Sequence, residues 1–201
     1  MESTILTFLI FIPVAGAIFM LPFAKLYGKE NSHYYKWIAL VATGLQLALS
    51  CVLYFNFDPS LSLEQSPFTV QVDWIQHFNI QYFIGVDGLS IPMILLTALL
   101  SFICILASWN IDKQPLGYFS LFLLLDAGMM GVFLALDFFL FYIFWEVMLL
   151  PMYFLIGMWG GPQRMYAAIK FFLYTLFGSV FMLLAMLALY YYSDPNTFNL
   201  I

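Results

Sequence analysis

Charge is what this sequence most lacks. Only 8% of its 201 residues are Asp, Glu, Lys or Arg, against about a quarter in an ordinary soluble domain. With 64% hydrophobic residues and a mean hydropathy of +0.96, the composition excludes a soluble globular domain and leaves an all-α polytopic membrane protein. The six basic residues form no patch for nucleic acid, and the pI of 4.6 reflects scarce charge, not an acidic surface. His33 and His77 lie outside the apolar runs, so no histidine pair can clamp a haem within the bilayer. Cys51 and Cys104 lie far apart in apolar spans, make no CxxC pair, and read as small buried apolar residues. A Ser-His-Asp set, a phosphate loop and a metal-ligand cluster are all missing. The N-terminus begins Met1-Glu2 without a basic leader, so it reads as a retained first span.

What the chain has is long apolar runs. A helix needs about 20 apolar residues to cross the bilayer core, and six stretches qualify: 4–24, 36–56, 88–109, 116–136, 138–158 and 166–192. Breaks at Tyr27–Lys29, Asn110–Pro115, Asp137 and Gly160–Gln163 separate most of them. The break at Asp137 is so short that spans four and five must form an antiparallel pair. With alternating spans, Lys25, Lys29, Lys36, Lys113, Arg164 and Lys170 all fall at one side. Basic residues favour the cytoplasm, so both ends of this stretch are expected on the outer side.

The chain thus divides into two N-terminal spans (1–56), an outer connection (57–87), span three (88–109), spans four to six (116–192) and an outer tail (193–201). The connection carries Asp58, Glu64, Asp73 and Asp87. Its segments Phe68–Trp74 and Phe78–Tyr82 alternate apolar and polar residues, which predicts a β-hairpin; a disordered loop is the alternative. Span four carries a stripe of small residues, Gly117, Ser120, Gly128, Gly131 and Ala135, which lets another helix approach closely.

Glu146 is the most informative residue. It lies mid-span in Phe-Trp-Glu-Val-Met-Leu-Leu-Pro (144–151). An ionisable group at a helix centre costs roughly 2.5–3.5 kcal/mol on insertion scales and marks proton relays. Pro151 removes the N–H that would bond the carbonyl of Val147, leaving an acceptor nearby. Spacings of four and seven put Tyr142, Glu146 and Tyr153 on one helical face. A structural reading, a neutral hydrogen-bonded acid that fixes packing, stands beside the relay.

Asp126 lies eleven residues before Asp137 and Glu146 nine after it, so both sit roughly 15 Å from that turn. Asp126 points nearly opposite the small-residue stripe, which disfavours direct pairing with Glu146. Lys170 differs in depth from Glu146 by around 10 Å, too far for an ion pair; it either snorkels to the headgroups or connects by water to a cytoplasmic access path. Asp87 and Asp137 sit at span ends, where wetted carboxylates cap helices.

The run Asp137–Gly160, with its Phe-Trp-Glu146 core and Pro151-Met-Tyr-Phe-Leu-Ile-Gly157 continuation, resembles the fifth helix of the antiporter-like subunits of proton-pumping NADH:quinone oxidoreductase (respiratory complex I), and is most similar to the chain M branch. Gly85-Val-Asp-Gly-Leu-Ser90 and the stretch from Arg164 through Gly178-Ser179 match the same family. The resemblance implies proton translocation driven by quinone reduction elsewhere. In this family the glutamate at the position of Glu146 pairs with a lysine on a seventh helix. It also implies no cofactor in this chain, with flavin, iron–sulfur clusters and quinone in partner subunits. Neighbouring membrane-arm subunits are expected as partners, tied on the outer side by the hairpin, in a bacterial inner membrane. Because the residues stop after span six, they are expected to be the N-terminal portion of a longer subunit. A multi-subunit sodium/proton antiporter and a non-conducting scaffold are the competing readings.

Overall fold

In the computed structural model the described residues are 2–27, 32–58, 68–75, 77, 79–193 and 197–198, with side chains of 2–3, 23–27 and 32 left aside. The predicted break after Tyr27, the carboxylate Glu64 and most of the outer tail lie outside them. The elements are α1 (Glu2–Tyr27), α2 (Ser32–Asn56), β1 (Thr69–Ile75), β2 (Ile80–Gly85), α3 (Ser90–Ala107), α4 (Pro115–Leu134), α5 (Phe138–Trp159) and α6 (Arg164–Tyr192). All six helices are long and apolar enough to cross a membrane. The expected spans are thus present, with ends moved by a few residues. Local chemistry sets several of those ends. Asp87 Oδ1 accepts from the N–H groups of Ser90 (2.6 Å) and Leu89 (3.2 Å), which starts α3. Gln114 turns left-handed (φ 49°), and Pro115 follows at the first position of α4. Asp137 caps α5 by accepting from Leu140 N–H at 2.9 Å.

Helices α1 to α4 form one cluster: α1 packs on α2 and α4, α2 on α3 and α4, and α3 on α4. α5 then packs on α4 and α6 on α5, extending the cluster as a file. Two apolar cores fill the cluster at different depths. One holds Leu9, Ile84, Ile94, Met130 and Leu134 near the hairpin; the other holds Met20, Tyr35, Ile105, Phe119 and Leu123 toward the opposite end. Side chains on outward faces stay exposed, including Leu173, Phe177 and Phe181 of α6. Cys51 is half-buried and Cys104 is exposed, contrary to the expectation that both are buried. The reason is that an apolar residue in a membrane helix can face lipid as readily as protein.

The small residues of α4 mostly serve the contact with α5. A Cβ on Gly131 would overlap the Phe144 ring, one on Gly128 would meet Met148, and Gly117 lies against Trp159. Ser120 departs from this, with its hydroxyl 3.5 Å from Met20 Sδ of α1.

The predicted hairpin is present. β1 and β2 pair antiparallel from Thr69↔Gly85 to Asp73↔Gln81, and a bulge at Trp74 shifts the register before Ile75↔Ile80. Gln81 links the strands on one face, accepting from Gln71 and donating to Asp73 Oδ1, both at 2.7 Å. Nor is the hairpin isolated: Leu136 N–H donates to Phe83 O at 2.8 Å, and Ile84 bridges to Ala135. β2 thereby docks on the α4–α5 turn, supplying the packing that a lone two-stranded hairpin lacks.

Candidate functional site

Glu146 lies on α5 eight residues past Phe138, about 12 Å into the helix. It is half-buried, and its Oε1 is enclosed without a hydrogen-bond partner. Tyr142, one turn earlier, places its hydroxyl beside both the Glu146 carboxylate and Ser179 of α6. Ser179 is itself buried and donates to the carbonyl of Leu176 at 3.0 Å. The site therefore forms in the α5–α6 seam and holds a carboxyl and two hydroxyls in apolar surroundings. Such a group can accept a proton and pass it along a hydroxyl.

The other expected members divide. Pro151 is buried within α5, which runs on through it. Tyr153 turns to α6 and packs edge-on to Phe172 with ring centres 5.5 Å apart. Seven residues of helix separate it from Glu146 by about 10 Å, so a shared face does not bring the two into contact. Lys170 is exposed near the start of α6, with Nζ 5.8 Å above the Tyr166 ring. Among the described residues it makes no ion pair with Glu146.

Asp126 sits eight residues before the end of α4, so it shares the depth of Glu146. It is fully enclosed, and its partners are Ser101 of α3, which donates to Oδ1 at 2.5 Å, and Gln46 of α2. The glycine contacts place α5 on the other flank of α4. The two acids therefore face different seams, and no direct paired relay joins them.

Periodicity gave no hint of Ser101, Gln46 or Ser179, whose partners lie on other helices. Lys36, read from the sequence only as a topology marker, is 6% exposed and pairs with Asp112 Oδ1 at 2.8 Å. Its basic charge sits at the end of the bundle away from the hairpin, as do Lys113 and Arg164. There Lys113 Nζ donates to Met158 O at 3.2 Å, and Trp159 Nε1 donates to Lys113 O at 2.7 Å.

Two carboxylates outside the helical spans are set by the hairpin end. Asp137, expected to be wetted, is fully enclosed, because β2 covers the α4–α5 turn and Gln81 N–H approaches its Oδ2 at 3.3 Å. Burial pushes its carboxyl above the usual range, against the backbone N–H groups of Leu140, Gln81 and Phe139. Its capping role holds nonetheless. At Asp87 burial also pushes upward, but bonds from the Ser90 hydroxyl and from the Ser90 and Leu89 N–H groups outweigh it and hold the carboxyl below that range.

Two family models match consecutive parts of the chain: the amino terminus of NADH-ubiquinone oxidoreductase chain 4 over 68–136, and the transmembrane region of NADH:quinone oxidoreductase and the Mrp antiporter over 135–201. The chain is 41% identical over 188 residues to NADH-quinone oxidoreductase subunit M of Rhodobacter capsulatus, covering 94% of this chain and 36% of that protein. To subunit M of Rickettsia typhi it is 37% identical over 203 residues, covering 100% and 40%. It therefore spans well under half the length of these relatives. A chain of respiratory complex I from Thermus thermophilus with bound NADH has a TM-score of 0.79 at 25% identity, over 96% of this chain and 38% of that one. The Mrp complex from Dietzia sp. shares the fold, with a TM-score of 0.75 at 21% identity over 96% of this chain and 20% of that one.

Proposed function

From the premise that this chain belongs to the NADH:quinone oxidoreductase/Mrp antiporter family of membrane subunits, we propose that it is part of a proton-translocating membrane-arm subunit of an NADH:quinone oxidoreductase. The observation that carries this reading is Glu146, an acid inside a membrane-spanning helix with one carboxyl oxygen unpartnered and the Tyr142 hydroxyl beside it, itself adjoining Ser179. A side chain so placed can take up and release a proton without leaving the seam, and the orphaned oxygen can accept a hydrogen bond from a cationic partner. Electrons move in partner subunits that carry flavin, iron–sulfur clusters and quinone. This chain's own residues move protons and hold no redox group.

In this reading Glu146 is the proton-carrying acid and Tyr142 its neighbouring relay hydroxyl. Pro151 breaks the local backbone ladder, while Tyr153 steadies the α5–α6 contact. Lys170 stands at the basic end, where it draws protons toward the seam by way of water. Asp126 belongs to proton handling on the other side of α4. The basic ends of the helices face the cytoplasm and the hairpin faces outward, against a neighbouring membrane-arm subunit, in a bacterial inner membrane. Labelling of the hairpin from the cytoplasmic side would refute that orientation.

The test is Glu146→Gln in the assembled complex in inverted vesicles. NADH-driven proton uptake falls at least about a hundredfold, the lower end of what a positioned proton-transfer group contributes, while assembly is retained. Unchanged uptake would remove Glu146 from the path. Because the family model is shared with the Mrp antiporter, co-purification decides between assemblies: flavin and iron–sulfur subunits support the oxidoreductase, and their absence supports the antiporter.

A further inference from the structure

A second polar layer lies between the two apolar cores of the α1–α4 cluster, and the Glu146 reading makes no use of its internal bonding. Asp126 is at its centre, with Leu123 of one core and Met130 of the other flanking it along α4. Asp126, Gln46 and Ser101 are all buried, the first two completely. Four helices meet here: Ser101 of α3 donates to Asp126 Oδ1 at 2.5 Å, and Gln46 of α2 donates through Nε2 to Leu9 O of α1 at 3.1 Å. The Gln46 amide also adjoins the Asp126 carboxyl.

Donor counting exposes a gap. Asp126 Oδ2 and Gln46 Oε1 are both enclosed and both without a hydrogen-bond partner. An ionised carboxylate offers only acceptors, as does the amide oxygen, so in that state two enclosed acceptors stay without a donor. A stranded buried group is destabilising, and more so when charged. One added proton supplies the missing donor: an O–H on Oδ2 directed at Oε1 satisfies both atoms at once.

We infer that Asp126, Gln46 and Ser101 form a binding site for a single proton, which bridges Asp126 Oδ2 and Gln46 Oε1 and ties α2, α3 and α4 together. Among the described residues no charged side chain on the packed elements competes for it. The described side chains of α1, Thr4 to Pro22, include no titratable group. On α2, Lys36 is engaged by Asp112 at the basic end, where His33, Tyr34 and Tyr35 also lie, and Cys51 and Tyr54 lie toward the hairpin. Cys104 of α3 is exposed, Tyr118 of α4 bonds Ser108, and Tyr142, Glu146 and Tyr153 belong to α5, across the glycine seam. Loss of the proton leaves Asp126 Oδ2 on α4 and Gln46 Oε1 on α2 both without a donor. The site therefore couples one proton to the spacing of these helices, whether or not Glu146 carries protons.

Infrared spectroscopy of the full-length subunit in its native complex tests this. At neutral pH the wild type minus Asp126→Asn difference should show the carbonyl band of a hydrogen-bonded carboxylic acid. Gln46→Met should move that band to higher frequency by removing its acceptor, and Ser101→Ala should shift it while leaving the acid in place. Glu146→Gln should leave it unaltered, which separates this site from the Glu146 proposal. A carboxylate signature for Asp126 would overturn the inference, as would a band insensitive to Gln46→Met. So would a band abolished by sodium at constant pH, since that would put a metal cation where the proton is assigned. Gln46→Met and Ser101→Ala keep the test alive should Asp126→Asn fail to assemble.

Discussion

Gly131→Ala perturbs the seam that holds Glu146 in place without touching any ionisable group. The added Cβ would overlap the ring of Phe144, striking Cγ and both Cδ atoms. Phe144 has little room to yield, because it packs against the core that contains Met130 and Leu134. Overpacking of this kind costs typically about 1–3 kcal/mol, and Phe144 stands two residues before Glu146, so a displaced α5 carries the acid with it. Gly178→Ala is the matched control: its Cβ meets nothing within 4 Å, and alanine in a helix interior is favoured over glycine by roughly 0.5–1 kcal/mol. The two single-methyl changes should therefore differ in sign. Graded heating of the solubilised complex followed by native gels reads the effect, with a lower midpoint for Gly131→Ala and an equal or higher one for Gly178→Ala. Equal midpoints for the two variants would refute the glycine-mediated α4–α5 seam.

Tyr142→Phe removes the hydroxyl beside Glu146 and Ser179; proton uptake should slow by several-fold, about 0.5–1.5 kcal/mol for one hydrogen bond, with assembly unchanged. Asp137→Ala removes the cap of α5 and the link to Gln81, costing about 1–2 kcal/mol, and proteolysis within the hairpin should become faster. The two hairpin-end carboxylates should give opposite pH responses. Asp137 holds its proton more tightly folded than unfolded, so hairpin stability falls as pH rises from the ordinary carboxylate range through its raised value. Asp87 is held low, so its contribution is present above the ordinary range and is lost as pH falls through the folded value. Replacing either residue by Asn should flatten its own limb of a protease-resistance profile.

The six helices were legible because the bilayer imposes a length, and 20-residue apolar runs satisfy it whatever they pack against. The strands were legible as alternation in 68–82, since period two exposes a one-sided face. Where β2 docks was not legible: the bond from Leu136 N–H to Phe83 O joins residues 53 apart, and it turns Asp137 from a wetted cap into a buried one. Helical spacing correctly aimed Asp126 away from the glycine stripe, but it could not name Ser101 or Gln46, since neighbours on other helices depend on the arrangement of the bundle. The same limit explains Tyr153, which shares a face with Glu146 yet spends its ring on Phe172. Cys104 shows the matching weakness of composition, which separates membrane from water but not lipid-facing from protein-facing residues.

The central claim is that the carboxyl of Glu146 carries protons through this subunit. Its most direct test is the number of protons taken up per NADH oxidised by inverted vesicles containing Glu146→Gln, with Glu146→Asp measured beside it. A carrying role predicts a ratio lowered by Gln and largely kept by Asp, at equal amounts of assembled complex. An undiminished ratio in the Gln variant would contradict it and leave Glu146 as a packing residue of the α5–α6 seam.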